Sequence, residues 1–286
     1  MDKHNFNIDV RSSLNQTLDK YLSGQNNERR EEIDPLQSHG DLQNENVVIE
    51  KKSTGATLES DQIFDEDGNF ILPEKPLIIA CLGKCGTGKS HLIKSMMYNY
   101  AKKTYFKFGI AIVPTKFNHS YDFINDKYVI ENYSETYLKN YIDKLKNYKK
   151  TRGYLPPNFI ILDDTLACVN LYSSLWTHLI STYRHLNLTI ILGTQSLSAR
   201  GGVSTLLRQM VNMAFLFRTV YKDTIKACAE AFGNLCDDYH EFEDMFLQTT
   251  SVKHTCLLFV NDKPSKEESY YSYIAPSSTP NFRLKF

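Results

Sequence analysis

An apolar run at residues 77–82 leads directly into Gly83-Lys84-Cys85-Gly86-Thr87-Gly88-Lys89-Ser90, and a helical pattern follows over residues 89–103. No other feature of this 286-residue chain restricts its fold as much. The run has the length and character of a strand buried on both faces of a parallel sheet. The octet matches G-x-x-x-x-G-K-[ST], a phosphate loop. Glycines let the backbone close around phosphate groups and turn its N–H groups inward. The helix beginning near Gly88 aims its positive end at the same point. In such a loop Lys89 reaches the β- and γ-phosphates and Ser90 ligates Mg²⁺, and the backbone from Gly83 through His91 forms the cradle. The alternative is a tight turn that holds no nucleotide, but the strand before it and the helix after it are the context a nucleotide loop requires.

A second apolar run ends in two acids, Phe159-Ile160-Ile161-Leu162-Asp163-Asp164. Behind a phosphate loop this has the form of a Walker B strand. Asp163 would hold Mg²⁺ beside Ser90, and Asp164 would polarise an attacking water, so that hydrolysis follows binding. The competing reading is an N-cap pair opening the next helix, because Asp caps well. A third run, Ile190-Ile191-Leu192-Gly193-Thr194-Gln195, ends in a hydroxyl and an amide. The carboxyl ends of parallel strands face the ligand crevice, so Thr194 or Gln195 would meet the γ-phosphate or orient water; Gln195 is favoured, with a plain polar turn as the alternative. Enzymes of this kind often use an arginine against transition-state charge. Arg184, Arg200, Arg208 and Arg218 are the candidates.

Further strands are expected at residues 108–113, 213–217 and 255–260, and helices at 135–150, 171–185, 203–210 and 223–232. Repeated strand–helix units argue for an α/β fold, a parallel sheet flanked by helices on both faces. Residues 1–60 are polar and read as a flexible segment with one short amphipathic helix at 10–22. Residues 61–263 form the nucleotide-binding domain, and residues 264–286 read as a tail.

The net charge is zero, but its distribution is uneven: residues 84–152 carry fourteen Lys or Arg against five acids, and residues 223–268 carry ten acids against four bases. Lys139, Lys144, Lys146, Lys149, Lys150 and Arg152 interleave with Tyr141 and Tyr148, a surface able to grip phosphates without reading bases; a solvated helix face is an equal reading. The six cysteines show no metal spacing, Cys81 and Cys256 sit in apolar runs, and a reducing compartment is expected. No stretch approaches the roughly 20 apolar residues that cross a bilayer, and a soluble intracellular protein is expected.

The order of these motifs (GKCGTGKS, IILDDT, YRHLNLTIILGTQS and LLRQMVNMAFLFR) resembles the genome-packaging ATPases of poxviruses, giant DNA viruses and virophages, within the FtsK/HerA superfamily. The resemblance spans about residues 75–235. It implies a P-loop NTPase with a RecA-like core and an extra strand between the two Walker strands. It also implies ATP and Mg²⁺ as cofactors, a hexameric or pentameric ring on double-stranded DNA, capsid proteins as partners, and the host cytoplasm (the viral factory) or the virion as its place. Carried over by motif, Lys89 and Ser90 bind phosphate and Mg²⁺, Asp163 binds Mg²⁺, Asp164 is the base and Gln195 senses the γ-phosphate. Arg184 or Arg208 acts across a subunit interface. Many relatives in the wider superfamily carry Glu where this chain has Asp164. A P-loop nucleoside or small-molecule kinase, and a nucleotide-dependent capsid scaffold, are the alternative readings.

Overall fold

The computed structural model describes residues 73–165, 168–197, 204–261, 263 and 265–284. The amphipathic helix expected at 10–22 and the candidate Arg200 lie outside the described residues.

Strand β1 (Ile78–Leu82) is buried at every residue and runs into the phosphate loop, after which α1 (Lys89–Lys102) begins. Next come β2 (Phe108–Ile112), the two-residue β3 (Val129–Ile130), α2 (Glu135–Arg152) and β4 (Asn158–Asp163). Helix α3 (Ser174–Thr182) passes into a 3-10 turn, Tyr183–Leu186, and then into β5 (Leu188–Thr194). The chain ends with α4 (Thr205–Met210), β6 (Met213–Phe217), α5 (Lys222–Phe232), α6 (Tyr239–Thr249), β7 (Thr255–Val260) and β8 (Tyr270–Ile274).

Among the described residues these strands form one eight-stranded sheet, in the order β3-β2-β4-β5-β1-β6-β7-β8. The pairs from β3 to β6 are parallel, whereas β7 and β8 each run antiparallel to the strand before. Strand β5 lies between β1 and β4, so one strand separates the phosphate-loop strand from the acid-bearing strand. This is the extra strand that the resemblance implies.

Alternation along each strand divides the core in two, as period-2 side chains must. Ile78, Ala80, Ile110, Ile160 and Ile190 face α2, α3, α5 and α6, with Trp176, Phe232, Phe242 and Phe246 at the centre. Ile79, Cys81, Ile161, Ile191 and Phe215 face α1 through Leu92, Ile93, Met96 and Met97. Each fully buried Leu, Ile or Phe contributes about 1.5–3 kcal/mol, so both faces anchor the strand ends that carry the polar residues.

Three elements differ from the sequence reading. The helix expected over 171–185 starts later, because the Ser173 side chain accepts from Trp176 N–H and caps it at that point. Helix α6 was not anticipated, although Asp238 caps it by accepting from Glu241 N–H. Residues 264–286, read as a tail, contain β8, which pairs with β7 along its length.

Candidate active site

The loop is shaped by two glycines with positive φ, Gly86 at 78° and Gly88 at 109°. Gly88 occupies the N-cap of α1 in a left-handed conformation that side-chain-bearing residues rarely adopt. Gly83 N–H donates to Thr194 O at 3.1 Å, which ties the start of the loop to the end of β5. Lys84, Cys85 and Gly86 form an exposed tip, while Lys89 is turned inward and only 4% exposed. Its ammonium donates to Gly83 O at 2.8 Å and Lys84 O at 3.0 Å, so it spans the inside of the loop. His91 stands exposed in the first turn of α1.

Asp163 ends β4 directly opposite Gly193 of β5. Its Oδ2 accepts from Ser90 Oγ at 2.8 Å and from Tyr121 Oη at 2.8 Å. Its Oδ1 is buried without a hydrogen-bond partner. Gly193 makes room for this oxygen, because a Cβ there would stand 2.0 Å from it. Burial pushes the Asp163 carboxyl above the ordinary aspartate range; hydrogen bonds from Ser90 and Tyr121 pull it back, Asp164 raises it and Lys89 lowers it. A hydroxyl beside a carboxylate with one free oxygen is the all-oxygen donor set that Mg²⁺ takes when phosphates and water supply the rest. The residues present therefore fit the ion.

Asp164 has φ 53°, a left-handed conformation that costs on the order of 1 kcal/mol and that Asp tolerates better than most residues. The strain turns its carboxylate out of the strand direction, where Gln195 Nε2 donates to Asp164 Oδ1 at 3.2 Å. The N-cap alternative for this acid pair is closed, because Ser173 caps the next described helix. Thr194 is occupied locally, with its hydroxyl donating to Ser196 O at 3.2 Å. Gln195 is therefore the polar end of β5 that reaches the site. A cleft of about 620 Å³ opens beside it, walled by Gly83, Lys84, Cys85, Ser196 and Tyr221, with the Lys84 ammonium 4.0 Å from the Tyr221 ring centre. A second cleft of about 360 Å³ lies on the far side of the loop, between Gly86, Thr87, Arg218, Val220, Val252 and His254.

The arginine candidates separate clearly. Arg184 precedes β5 and stands at the opposite end of that strand from Gln195, roughly 20 Å away at about 3.3 Å per residue. Its Nε donates to Tyr183 Oη at 2.9 Å, and that hydroxyl donates to Asn212 Oδ1 at 3.1 Å. Asn212 Oδ1 also accepts from Ile78 N–H at 2.8 Å, so this group braces the start of β1. Arg208 is nearer the cleft, donating from Nη2 to Leu197 O. Arg218 follows β6 at the second cleft and donates to Thr250 O at 3.1 Å. The lysines of α2 are exposed, while Tyr141 and Tyr148 are half-buried and pack against the core.

Sequence reasoning missed Tyr121 and Gly193. Tyr121 lies 42 residues from Asp163 in an irregular connection. Gly193 had a legible signal, a lone glycine inside a strand pattern, which often marks close approach.

The sheet order, the phosphate loop opening α1 and the acids ending β4 define a P-loop NTPase of the RecA-like class. Residues 67–213, just over half of the chain, match the Poxvirus A32 protein family, and the chain belongs to that family. It is 24% identical over 214 residues to uncharacterized protein 075L of Invertebrate iridescent virus 6, covering 71% of this chain and 81% of that one. It is 27% identical over 199 residues to uncharacterized protein L437 of Acanthamoeba polyphaga mimivirus, covering 65% and 68%. The fold is similar to that of the genome packaging NTPase B204 of Sulfolobus turreted icosahedral virus 2 in complex with AMPPCP, with a TM-score of 0.51 at 12% identity over 72% of this chain and 100% of that one. It is similar also to the pCW3 conjugation coupling protein TcpA, with a TM-score of 0.50 at 14% identity over 85% and 67%.

Proposed function

We propose that this protein is an ATP-hydrolysing motor that moves double-stranded viral DNA into a capsid. The observation that carries this reading is the placement of Asp163, Asp164 and Gln195 at adjacent strand ends beside the loop, in a chain of the A32 family. B204, to whose fold this chain is similar, is a genome packaging NTPase.

In this reading the phosphates bind across the loop amides at the α1 N-terminus. Lys89 exchanges its two loop carbonyls for phosphate oxygens. Ser90 and Asp163 hold Mg²⁺, which supplies charge neutralisation when bound. Asp164 takes the proton of the attacking water, and Gln195 orients that water and holds Asp164 in place. The base lies toward the second cleft, where exposed Val220 and Val252 offer apolar surface to a ring.

Arg184 is too far from its own site to act there, so in a hexameric or pentameric ring it serves a neighbour's nucleotide or only braces β1. Arg208 reaches toward the cleft from the same chain. The exposed lysines of α2 contact the DNA backbone, which makes binding independent of sequence and weaker with salt. Capsid proteins are the partners, and the host cytoplasm or the virion is the location. A triplex-displacement assay on linear duplex DNA tests the reading. ATP-dependent displacement is expected, while hydrolysis without displacement at any DNA length counts against a motor and for a scaffold.

A further inference from the structure

The Walker-type acid has one donor that its motif does not account for. Tyr121 lies in the irregular connection between β2 and β3, is 4% exposed, and places its hydroxyl 2.8 Å from Asp163 Oδ2. Ser90, on the first turn of α1, donates to that same oxygen. Two donors on one oxygen fix the rotation of the carboxylate and leave Oδ1 alone beside Gly193.

What keeps Tyr121 there is a stretch of chain remote in sequence. Its own connection is closed by the Lys116–Asp126 ion pair at 2.7 Å and by Ile124 N–H donating to Tyr121 O at 2.9 Å. From outside, Phe282 stacks on Phe123 at 4.8 Å between ring centres, and Leu284 N–H donates to Phe123 O at 2.8 Å. Phe282 also meets Tyr98 of α1 at 5.4 Å. The segment after β8 thus touches both the helix that carries Ser90 and the connection that carries Tyr121.

We propose that Tyr121 is a positioning residue for the Asp163 carboxylate, and that the segment at Phe282 and Leu284 straps it in place. The inference rests on the nucleotide site proposed above. Its effect falls on Mg²⁺: a carboxylate free to rotate meets the ion less often in the competent orientation, whereas phosphate binding by Lys89 and the loop is untouched.

The experiment titrates Mg²⁺ against binding of a fluorescent ATP analogue to the full chain, with nucleotide affinity in EDTA and the melting temperature measured in parallel. Tyr121→Phe keeps the ring and removes the hydroxyl. It is expected to raise the half-saturating Mg²⁺ concentration about tenfold, the size of one hydrogen bond to a charged acceptor, with affinity in EDTA unchanged. Phe282→Ala shifts Mg²⁺ in the same direction and by less. The double variant is no worse than Tyr121→Phe, because both act through one hydroxyl. If Tyr121→Phe does not fold, Phe282→Ala decides by the same titration. A wild-type chain without Mg²⁺-dependent nucleotide binding overturns the nucleotide reading itself. A wild-type chain that binds normally, beside a Tyr121→Phe chain with the same Mg²⁺ requirement, overturns the positioning role alone. Additive effects in the double variant overturn the strap.

Discussion

Gly193→Ala is the sharpest perturbation of this site that leaves every functional group in the chain. The added methyl would stand 2.0 Å from Asp163 Oδ1, 2.9 Å from its Cγ and 3.3 Å from Ile93 Cδ1. No carboxylate can remain at that distance, so Asp163 must rotate away or β4 and β5 must part. Parting is resisted, because both strands are buried at every residue and paired from Asn158–Leu188 to Asp163–Gly193. Rotation is the softer path, and it breaks the bonds from Ser90 and Tyr121 to Oδ2. At about 1.5 kcal/mol each, the lower figure for bonds to a charged group, the loss is about 3 kcal/mol. Steady-state phosphate release at saturating ATP and a sub-saturating Mg²⁺ concentration is then expected to fall on the order of 100-fold. Nucleotide affinity in EDTA stays near wild type, because Lys89 and the loop are not touched. A Gly193→Ala enzyme with more than half the wild-type rate would refute the reasoning that this glycine exists to seat the acid.

Asp164→Asn preserves the left-handed backbone, which Asn also tolerates, and removes the proton acceptor. The turnover rate is expected to drop about 10²–10⁴-fold with nucleotide binding intact, read by phosphate release and equilibrium titration. Gln195→Ala frees the Asp164 carboxylate from its 3.2 Å contact and is expected to lower turnover less than Asp164→Asn in the same assay. The buried Asp163 carboxyl sets a pH dependence of stability. Its folded pKa is raised above the ordinary 3.8, chiefly by burial, so its stabilising share is complete below that value and is lost as pH rises through the folded pKa. Asp163→Asn should therefore gain on wild type as pH rises from about 4 toward 8, measured by urea denaturation in EDTA; a difference that does not change with pH contradicts this.

The parts of the site that were legible in the sequence are those built from local signals. The phosphate loop is eight contiguous residues between an apolar run and a helix, and the spans expected for β6 and β7 coincide with those observed, because all their residues are buried and all but Thr255 are apolar. Asp163, Asp164 and Gln195 could be placed because parallel strands present their carboxyl ends to one crevice. Tyr121 could not, because it reaches the site through an irregular connection that neither strand nor helix periodicity marks. The edge strand β8 was hidden for a related reason. Its sequence, Tyr-Tyr-Ser-Tyr-Ile, is mostly half-buried and lacks the clean apolar–polar alternation of a strand with one wet face. Arg184 shows the limit of motif transfer, since its position before β5 was legible but its distance from Gln195 was fixed only by the direction of the strand.

The central claim is that this loop hydrolyses ATP in response to duplex DNA. The most direct measurement is phosphate release by the full chain with Mg²⁺ and ATP, with and without linear duplex DNA at low salt, beside Lys89→Ala. Wild-type release is expected to rise with DNA, to lose that stimulation as salt increases, and to vanish in Lys89→Ala. Release that ignores DNA at low salt, or that persists in Lys89→Ala, would contradict the account.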